Sequence, residues 1–504
     1  MDTIAITFPQ VKINLPIEGL KFSALEQAVF DITQRLGRKV LENALTDIDK
    51  HLRDTRPKGE LINTGKRAKY FLTRLGDIRY MRTRYIDKAT KKARYLLEER
   101  LGIKKNQRIS LIRAKIEMFI ASISTYRGTQ RDVELLTGYR RSHEAIRQSV
   151  IKEAEGIIAY EKQVIAKTMR LDDKEEYSGA SNDIVYMETD SAFIRLQARR
   201  KRKSRTYRLN IKRRRGRKSI EVKLGIGYTD KVRRYNTGSG SSLKLKDKFT
   251  YSGIENGPTF MENLSLIAER KLRLSSAKAV IFGGDGGAYI TAGIKDCFPG
   301  AIYILSKFHL KRNIKRALPQ RPDMRIKINN LIKKDQINKA LSMIKRMIAH
   351  TDDGKKKKSL NDLYVYIDQN REGINPVKRI EDKAIRERIK GSGAMESNVD
   401  KFIAHRFKKR GMSWSQKGAL GLLKVKQTIA NNEWDSWWSN QRDEKIELNT
   451  EPLKQLSAQY FMRKSRHDSP ALIEATIPAL SGPDQNEPWA KVIRELQKID
   501  YYKN

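Results

Sequence analysis

The run Ala279-Val280-Ile281-Phe282 leads directly into Gly283-Gly284-Asp285-Gly286-Gly287. Four consecutive apolar residues bounded by glycines fit a buried strand better than an amphipathic helix, whose polar positions recur every three or four residues. A strand buried on both faces belongs to a sheet covered by helices. The glycines let the chain turn freely where that strand ends, and they leave a carboxylate, Asp285, at the turn. The flanking pattern predicts strands at 184–197, 220–229, about 247–252, 278–284 and 301–306, and helices at about 258–273, 287–297 and 309–318. Three strands followed by alternating helix and strand give an α/β class with one mixed sheet.

Two more acids stand at similar places. Asp190 follows Ile184-Val185-Tyr186-Met187, and Glu396 opens a helix-like stretch in Gly393-Ala394-Met395-Glu396-Ser397-Asn398. Taken singly, each has an ordinary explanation. Asp in a glycine-rich turn is turn chemistry, and Glu near a helix start favours the helix dipole. Together they form a set of hard-oxygen ligands of the kind that holds Mg²⁺, in a chain of 104 Lys and Arg against 59 Asp and Glu. Two divalent cations about 4 Å apart stabilise both the attacking and the leaving oxygen in phosphodiester displacement. A formal charge of +45 points to a polyanionic partner, because phosphate neutralisation releases condensed counterions.

The most basic segment, residues 199–218, carries thirteen Lys or Arg in twenty positions and no acid. It includes Arg199, Arg200, Lys201, Arg202, Lys203, Arg213, Arg214 and Arg215 and repels itself unless a polyanion neutralises it. A DNA grip beside the strand of Asp190 is the expectation, with no sequence preference implied. The lone Cys297 excludes an intramolecular disulfide and a Cys-rich zinc site, and is expected to be a small core residue in a reducing compartment. No secretory leader stands out in the first thirty residues, and no run approaches the roughly 18 apolar residues of a membrane span. A soluble intracellular protein is expected.

Four regions follow. Residues 1–104 hold a helix from about Ser23 to Leu52 and a β-hairpin within 66–87, with one apolar or aromatic face and one Arg-rich face. Residues 105–178 are helical. Within them, 129–139 leads through Gly138 to Ser142-His143-Glu144-Ala145-Ile146-Arg147, the pattern of a helix-turn-helix whose second helix, roughly 143–155, would place His143 and Arg147 in the major groove. Residues 179–410 form the α/β core, entered by a polar linker at 171–182 and interrupted by a helical insertion at about 320–390. Residues 411–504 carry Trp414, Trp434, Trp437, Trp438 and Trp489.

Glu188-Thr189-Asp190-Ser191-Ala192-Phe193, Gly284-Asp285-Gly286-Gly287-Ala288-Tyr289-Ile290, Lys307-Phe308-His309-Leu310-Lys311-Arg312 and Gly393-Ala394-Met395-Glu396-Ser397-Asn398 occur in that order. In this the chain resembles bacterial DDE transposases of the Mutator-like superfamily, of the insertion-sequence type first named from Lre elements of Gram-positive bacteria. The resemblance runs over nearly the whole length, including Gly411-Met412-Ser413-Trp414. It implies a ribonuclease-H-like fold with Asp190, Asp285 and Glu396 as ligands of two Mg²⁺ or Mn²⁺ ions, His309 as an accessory catalytic group and Trp414 as a DNA-contacting aromatic. It further implies cleavage and strand transfer at the terminal inverted repeats of a mobile element, by a homodimer or larger oligomer on double-stranded DNA in the bacterial cytoplasm, at the nucleoid. Superfamily members carry Cys or Asp three residues before that His. Here the position is Ser306, a weaker metal or base contact. The alternatives are a non-catalytic DNA-binding regulator derived from a transposase, and a metal-dependent nuclease without transposition.

Overall fold

The computed structural model describes residues 21–57, 59–170, 183–197, 213–214, 217–237, 240–389 and 393–439. Arg199, Arg200, Lys201, Arg202, Lys203 and Arg215 of the basic run lie outside these, as does Trp489. Arg213 and Arg214 are placed only by their backbone, as the short strand β5 below.

The first region begins with α1 (Phe22–Thr55), β1 (Leu61–Thr73), β2 (Gly76–Asp87), β3 (Ala93–Arg94) and α2 (Leu96–Arg100). The β1–β2 turn is pinned by the Thr73 hydroxyl, which donates to the Gly76 carbonyl at 2.8 Å. Leu45 of α1 packs with Phe71, Ile78, Tyr80 and Leu97 in a small core. The hairpin is less uniform than its alternation suggests. Ile78 and Tyr80 are buried, but the buried positions change phase to Thr83 and Tyr85. The change lies beside a bulge between Asn63 and Lys66, where β1 carries an extra residue against β2.

The helices α3 (Leu111–Ile123), α4 (Tyr126–Thr137) and α5 (His143–Arg170) come next. Their caps are legible: Thr125 accepts from the Gly128 N–H, Gly138 ends α4 at φ +70°, and the Ser142 hydroxyl accepts from Ala145. The expected helical pair is there, but α5 runs for 28 residues rather than stopping near 155. Its stripe Ile146, Val150 and Ile157 joins one core with Val222 and Leu224 of the sheet and Leu422 of a later helix. The linker at 171–182 falls outside the described residues.

The main sheet contains β4 (Ile184–Arg195), β5 (Arg213–Arg214), β6 (Arg217–Tyr228), β9 (Phe249–Gly253), β10 (Ala279–Gly284) and β11 (Ile302–Leu305), with β7 (Asp230–Thr237) and β8 (Gly240–Lys246) forming a separate hairpin. The order is β11-β10-β4-β6, and β9 and β5 both pair with β6. β11, β10 and β4 are parallel; β6 runs antiparallel to β4, and β9 antiparallel to β6. Side chains alternate as a covered sheet requires. Ile184 and Tyr186 face the core shared with α5, whereas Val185 and Met187 face α6 (Gly257–Leu272) and α7 (Ala288–Cys297). Cys297 ends α7 as a free, partly buried thiol.

After β11 come α8 (Lys307–Ala317), α9 (Pro322–Lys333), α10 (Ile337–Ala349) and α11 (Gly354–Gln369), which share a separate core around Ile314, Ile328, Ile344 and Ile367. No strand interrupts the described part of this insertion, which ends with α12 (Lys383–Arg388). The chain closes with α13 (Met395–Val399), which continues as a π-helix through Lys408, then α14 (Gln416–Ala430) and α15 (Trp434–Ser439). Among the described residues no helix is long and apolar enough to cross a membrane.

Candidate active site

Asp285 follows the last residue of β10, as its glycine-rich turn implies. Gly286 takes φ +84°, and a Cβ there would meet the Asn370 side chain at 2.7 Å, so both the backbone angle and the space call for glycine. The Asp285 carboxylate accepts from the Gly287 N–H at 2.9 Å, and the Tyr366 hydroxyl donates to the Asp285 carbonyl at 2.8 Å. Tyr366 and Asn370 come from α11 and its C-terminus, so the helical insertion braces this loop directly.

Asp190 lies within β4, which runs on to Arg195 much as the expected strand at 184–197 has it. The parallel pairing with β10 stops at Glu188 opposite Gly283, so β4 outruns that neighbour and presents Asp190 beyond it, while β6 still pairs Asp190 with Leu224. Glu396 lies in the first turn of α13. The three acids line one pocket together with Glu188, Ser306 and His309. Its volume is about 10 Å³, room for about one water. Among the described residues no three His, Cys, Asp or Glu side chains stand in a group able to hold a metal ion as they lie.

Electrostatically the pocket is under strain. Burial pushes the Asp190 carboxyl up to about 6, and the nearby charges of Asp285 and Glu396 add to the rise, against the Ser191 N–H and Arg312. His309 moves the other way: burial and then Arg312 lower its pKa, so the imidazole is held neutral. It is 6% exposed, and its Nδ1 is buried without a hydrogen-bond partner. Ser306, in place of an acid or thiol, caps α8 and donates its hydroxyl to Glu396 Oε1 at 3.1 Å. The serine thus ties the end of β11 to the helix bearing the third acid.

Sequence reasoning missed the support of this site. Glu188, two residues before Asp190 and so on the same face of β4, is 4% exposed. Its carboxylate accepts from the Tyr228 hydroxyl at 2.6 Å and from the backbone N–H groups of Gly393, Ala394 and Met395 at 3.3, 3.4 and 3.0 Å. One strand therefore carries Asp190 and also holds the turn that delivers Glu396. The alternation of a β-strand was the available signal. Tyr366 left none.

The expected DNA contacts are placed differently. Trp414 is a core residue: it is buried, its indole N–H donates to the Phe407 carbonyl at 3.0 Å, and its ring packs on Phe407 and Tyr126. A stacking surface for bases is not presented, because its neighbours already cover the ring. Trp414 also bridges to Leu196 beside the end of β4. Arg147 is engaged bidentately by Glu144 at 2.8 and 2.6 Å, and the His143 N–H is held by Gln130. Gln130 and Ser142 thus fix the start of α5, whose inner stripe is committed to the core.

The pattern of the uncharacterised protein family UPF0236 matches residues 15–436. Similar proteins occur in Caldanaerobacter subterraneus subsp. tengcongensis. UPF0236 protein TTE0402 is 23% identical over 410 residues, covering 81% of this chain and 74% of that protein. UPF0236 protein TTE0610/TTE0881/TTE1053/TTE2432 is 22% identical over 411 residues, covering 81% and 78%. Another, whose name joins eleven designations from TTE0033 to TTE2212, is 22% identical over 410 residues, again covering 81% and 78%. With the family pattern spanning most of its length, this chain belongs to the UPF0236 family.

Proposed function

We propose that this chain is a DNA transposase of a bacterial insertion sequence, which binds terminal inverted repeats, cleaves there and joins the freed 3′ ends to target DNA. The observation that carries the reading is the convergence of Asp190, Asp285 and Glu396, distant in sequence, on one pocket where β10 ends beside the longer β4. The sheet supports it. An antiparallel trio, β9-β6-β4, extended by parallel β10 and β11, is the arrangement expected of a ribonuclease-H-like core. The relative whose name joins eleven designations supports it too, since one sequence carried in many copies is what a mobile element leaves.

The donor set fits divalent cations. The three acids offer hard oxygens, and a cation would offset both the burial that raises Asp190 and the smaller push from Asp285 and Glu396. Asp190, Asp285 and Glu396 would hold two Mg²⁺ or Mn²⁺ ions, closing inward from where they stand. Glycines at Gly286 and Gly393, both at positive φ, give the Asp285 and Glu396 segments room to adjust. Bound there, the ions would stabilise the attacking and leaving oxygens of phosphodiester displacement. Glu188 and Ser306 hold Glu396 in place, and the neutral His309 offers its unpartnered Nδ1 at the pocket wall. The enzyme would act as a homodimer or larger oligomer on double-stranded DNA in the cytoplasm.

The test is cleavage of duplexes bearing the element ends, in Mg²⁺ or Mn²⁺. Asp190→Asn, Asp285→Asn and Glu396→Gln should each reduce cutting by about 10³-fold or more, because an amide supplies no charge for the metal. DNA affinity should stay within a few fold. Wild-type cutting rates in two of the three would sink the assignment.

A further inference from the structure

The N-terminal region contains a cleft of about 910 Å³ between the β1–β2 hairpin and the segment around α2. Seven cationic side chains line it against two carboxylates. Both carboxylates are already engaged. Glu98, 6% exposed, is clasped by Lys69 and Arg82, and Glu99 pairs with Arg94 at 2.7 Å. Arg84, Lys92, Lys105 and Arg108 have no carboxylate partner among the described residues. The floor is stiff: the Arg82 guanidinium lies 3.8 Å over the Tyr95 ring while it pairs with Glu98. Tyr70 stands at the rim, 66% exposed.

We infer that this cleft binds the sugar-phosphate backbone of duplex DNA; the inference rests on the DNA reading above and names a second contact surface apart from the cutting pocket. Four unneutralised cations around one concavity repel each other until a polyanion enters, and that entry releases counterions. A single phosphate would satisfy two or three such groups, whereas four spread around a cleft of this size match a run of phosphodiesters. The exposed Tyr70 ring and the Arg82–Tyr95 stack offer π faces suited to sugars and bases, which an acidic peptide would not use. Lys69 and Arg82 more than cancel Glu98, so the floor adds to the positive field of the free cations at the rim.

The experiment uses the full chain, a fluorescent random duplex and a poly-glutamate peptide. The triple variant Arg84→Ala, Lys105→Ala, Arg108→Ala is compared with wild type and with Lys355→Ala, Lys357→Ala, Lys358→Ala, which removes equal charge from the exposed start of α11. Expected is roughly tenfold or greater loss of duplex affinity in the cleft variant, a salt slope shallower by about 0.9 per lost phosphate contact, an unchanged melting temperature, and a smaller effect in the α11 variant. An unchanged slope, or losses equal in the two variants, overturns the cleft. Poly-glutamate binding that matches duplex binding in wild type and falls with it in the cleft variant overturns the nucleic-acid assignment in favour of an acidic protein. The two readings fail separately. A wild type that binds through the cleft but never cuts refutes the transposase alone, and metal-dependent cutting with binding indifferent to the triple variant refutes the cleft alone.

Discussion

Two buried glutamates in different regions of the chain are compensated in opposite ways. Glu98, in the N-terminal cleft, is neutralised by the cations Lys69 and Arg82. Glu188, beside the acidic pocket, is held by one phenol and three backbone N–H groups, all uncharged. Their exposures are nearly equal, 6% and 4%. The consequence for the surrounding field is not. Pairing with cations cancels Glu98 and leaves the cleft to its free basic groups, a surface for anions. Neutral donors stabilise Glu188 without cancelling it, so its charge adds to those of Asp190, Asp285 and Glu396 in a pocket for cations. The choice of donor, rather than of acid, sets the sign of each region.

The largest expected effect tests the first half of that contrast. Glu98→Gln would leave Lys69 and Arg82 buried or nearly so without a counter-charge, and should cost about 3–5 kcal/mol of stability in chemical denaturation. A loss under about 1 kcal/mol would mean the two cations swing to solvent and the pairing is dispensable.

Next is Asp190→Asn, which probes whether the pocket carries uncompensated negative charge. With its carboxyl at about 6 in the fold against an unfolded value near 3.8, the folded state binds the proton more tightly. The associated stability is complete below the unfolded value and is lost as pH rises through about 6. The asparagine variant, always neutral, should therefore be more stable than wild type at pH 8 without divalent cations, by up to about 3 kcal/mol. The two should converge below pH about 4. Mg²⁺ should raise the wild-type melting temperature and leave the variant nearly unchanged. A variant less stable than wild type at pH 8 would show that the pocket is not strained.

The smallest effect sharpens the second half. Glu188→Gln keeps an acceptor but turns an NH₂ group towards either the Gly393–Met395 amides or Tyr228, a mismatch worth about 1–3 kcal/mol. Because no buried cation is stranded, the cost should fall below that of Glu98→Gln. Equal costs would break the comparison. Duplex cutting should fall while DNA affinity holds, since the residue acts through Glu396.

How much of this was legible in the sequence follows from which forces leave a periodic trace. The strands of β4, β6, β9, β10 and β11 and the helices between them fall within a few residues of their apolar runs, because burial on both faces writes continuous hydrophobicity. The β7–β8 hairpin was missed, because stretches such as Lys231-Val232-Arg233-Arg234-Tyr235 and Ser241-Ser242-Leu243-Lys244-Leu245 are too polar to mark a strand. The pairing of α4 with α5 was visible in its caps, but periodicity alone cannot say what an apolar stripe packs against. Ile146, Val150 and Ile157 meet the sheet-side core, so α5 is structural along its inner face. Trp414 by itself reads more readily as core than as a stacking platform, and only the family resemblance points to DNA; the Phe407 carbonyl that holds its indole N–H has no sequence signature. Asp190 and Asp285 were found by following apolar strand-like runs, and Glu396 by opening a helix-like stretch. Glu188 was not, since a lone carboxylate carries no mark of the three amides that will surround it.

The order of these parts along the chain has a consequence for synthesis. The cleft residues lie before position 110, whereas Glu396 follows Asp190 by about 200 residues, roughly 10–40 s of translation at typical rates. Trp414, whose backbone zips onto the end of β4, arrives later still. A nascent chain on the ribosome thus owns its basic cleft well before it owns a complete acidic pocket. If the cleft grips DNA, the growing polypeptide can be tethered near its own gene while still unable to cut.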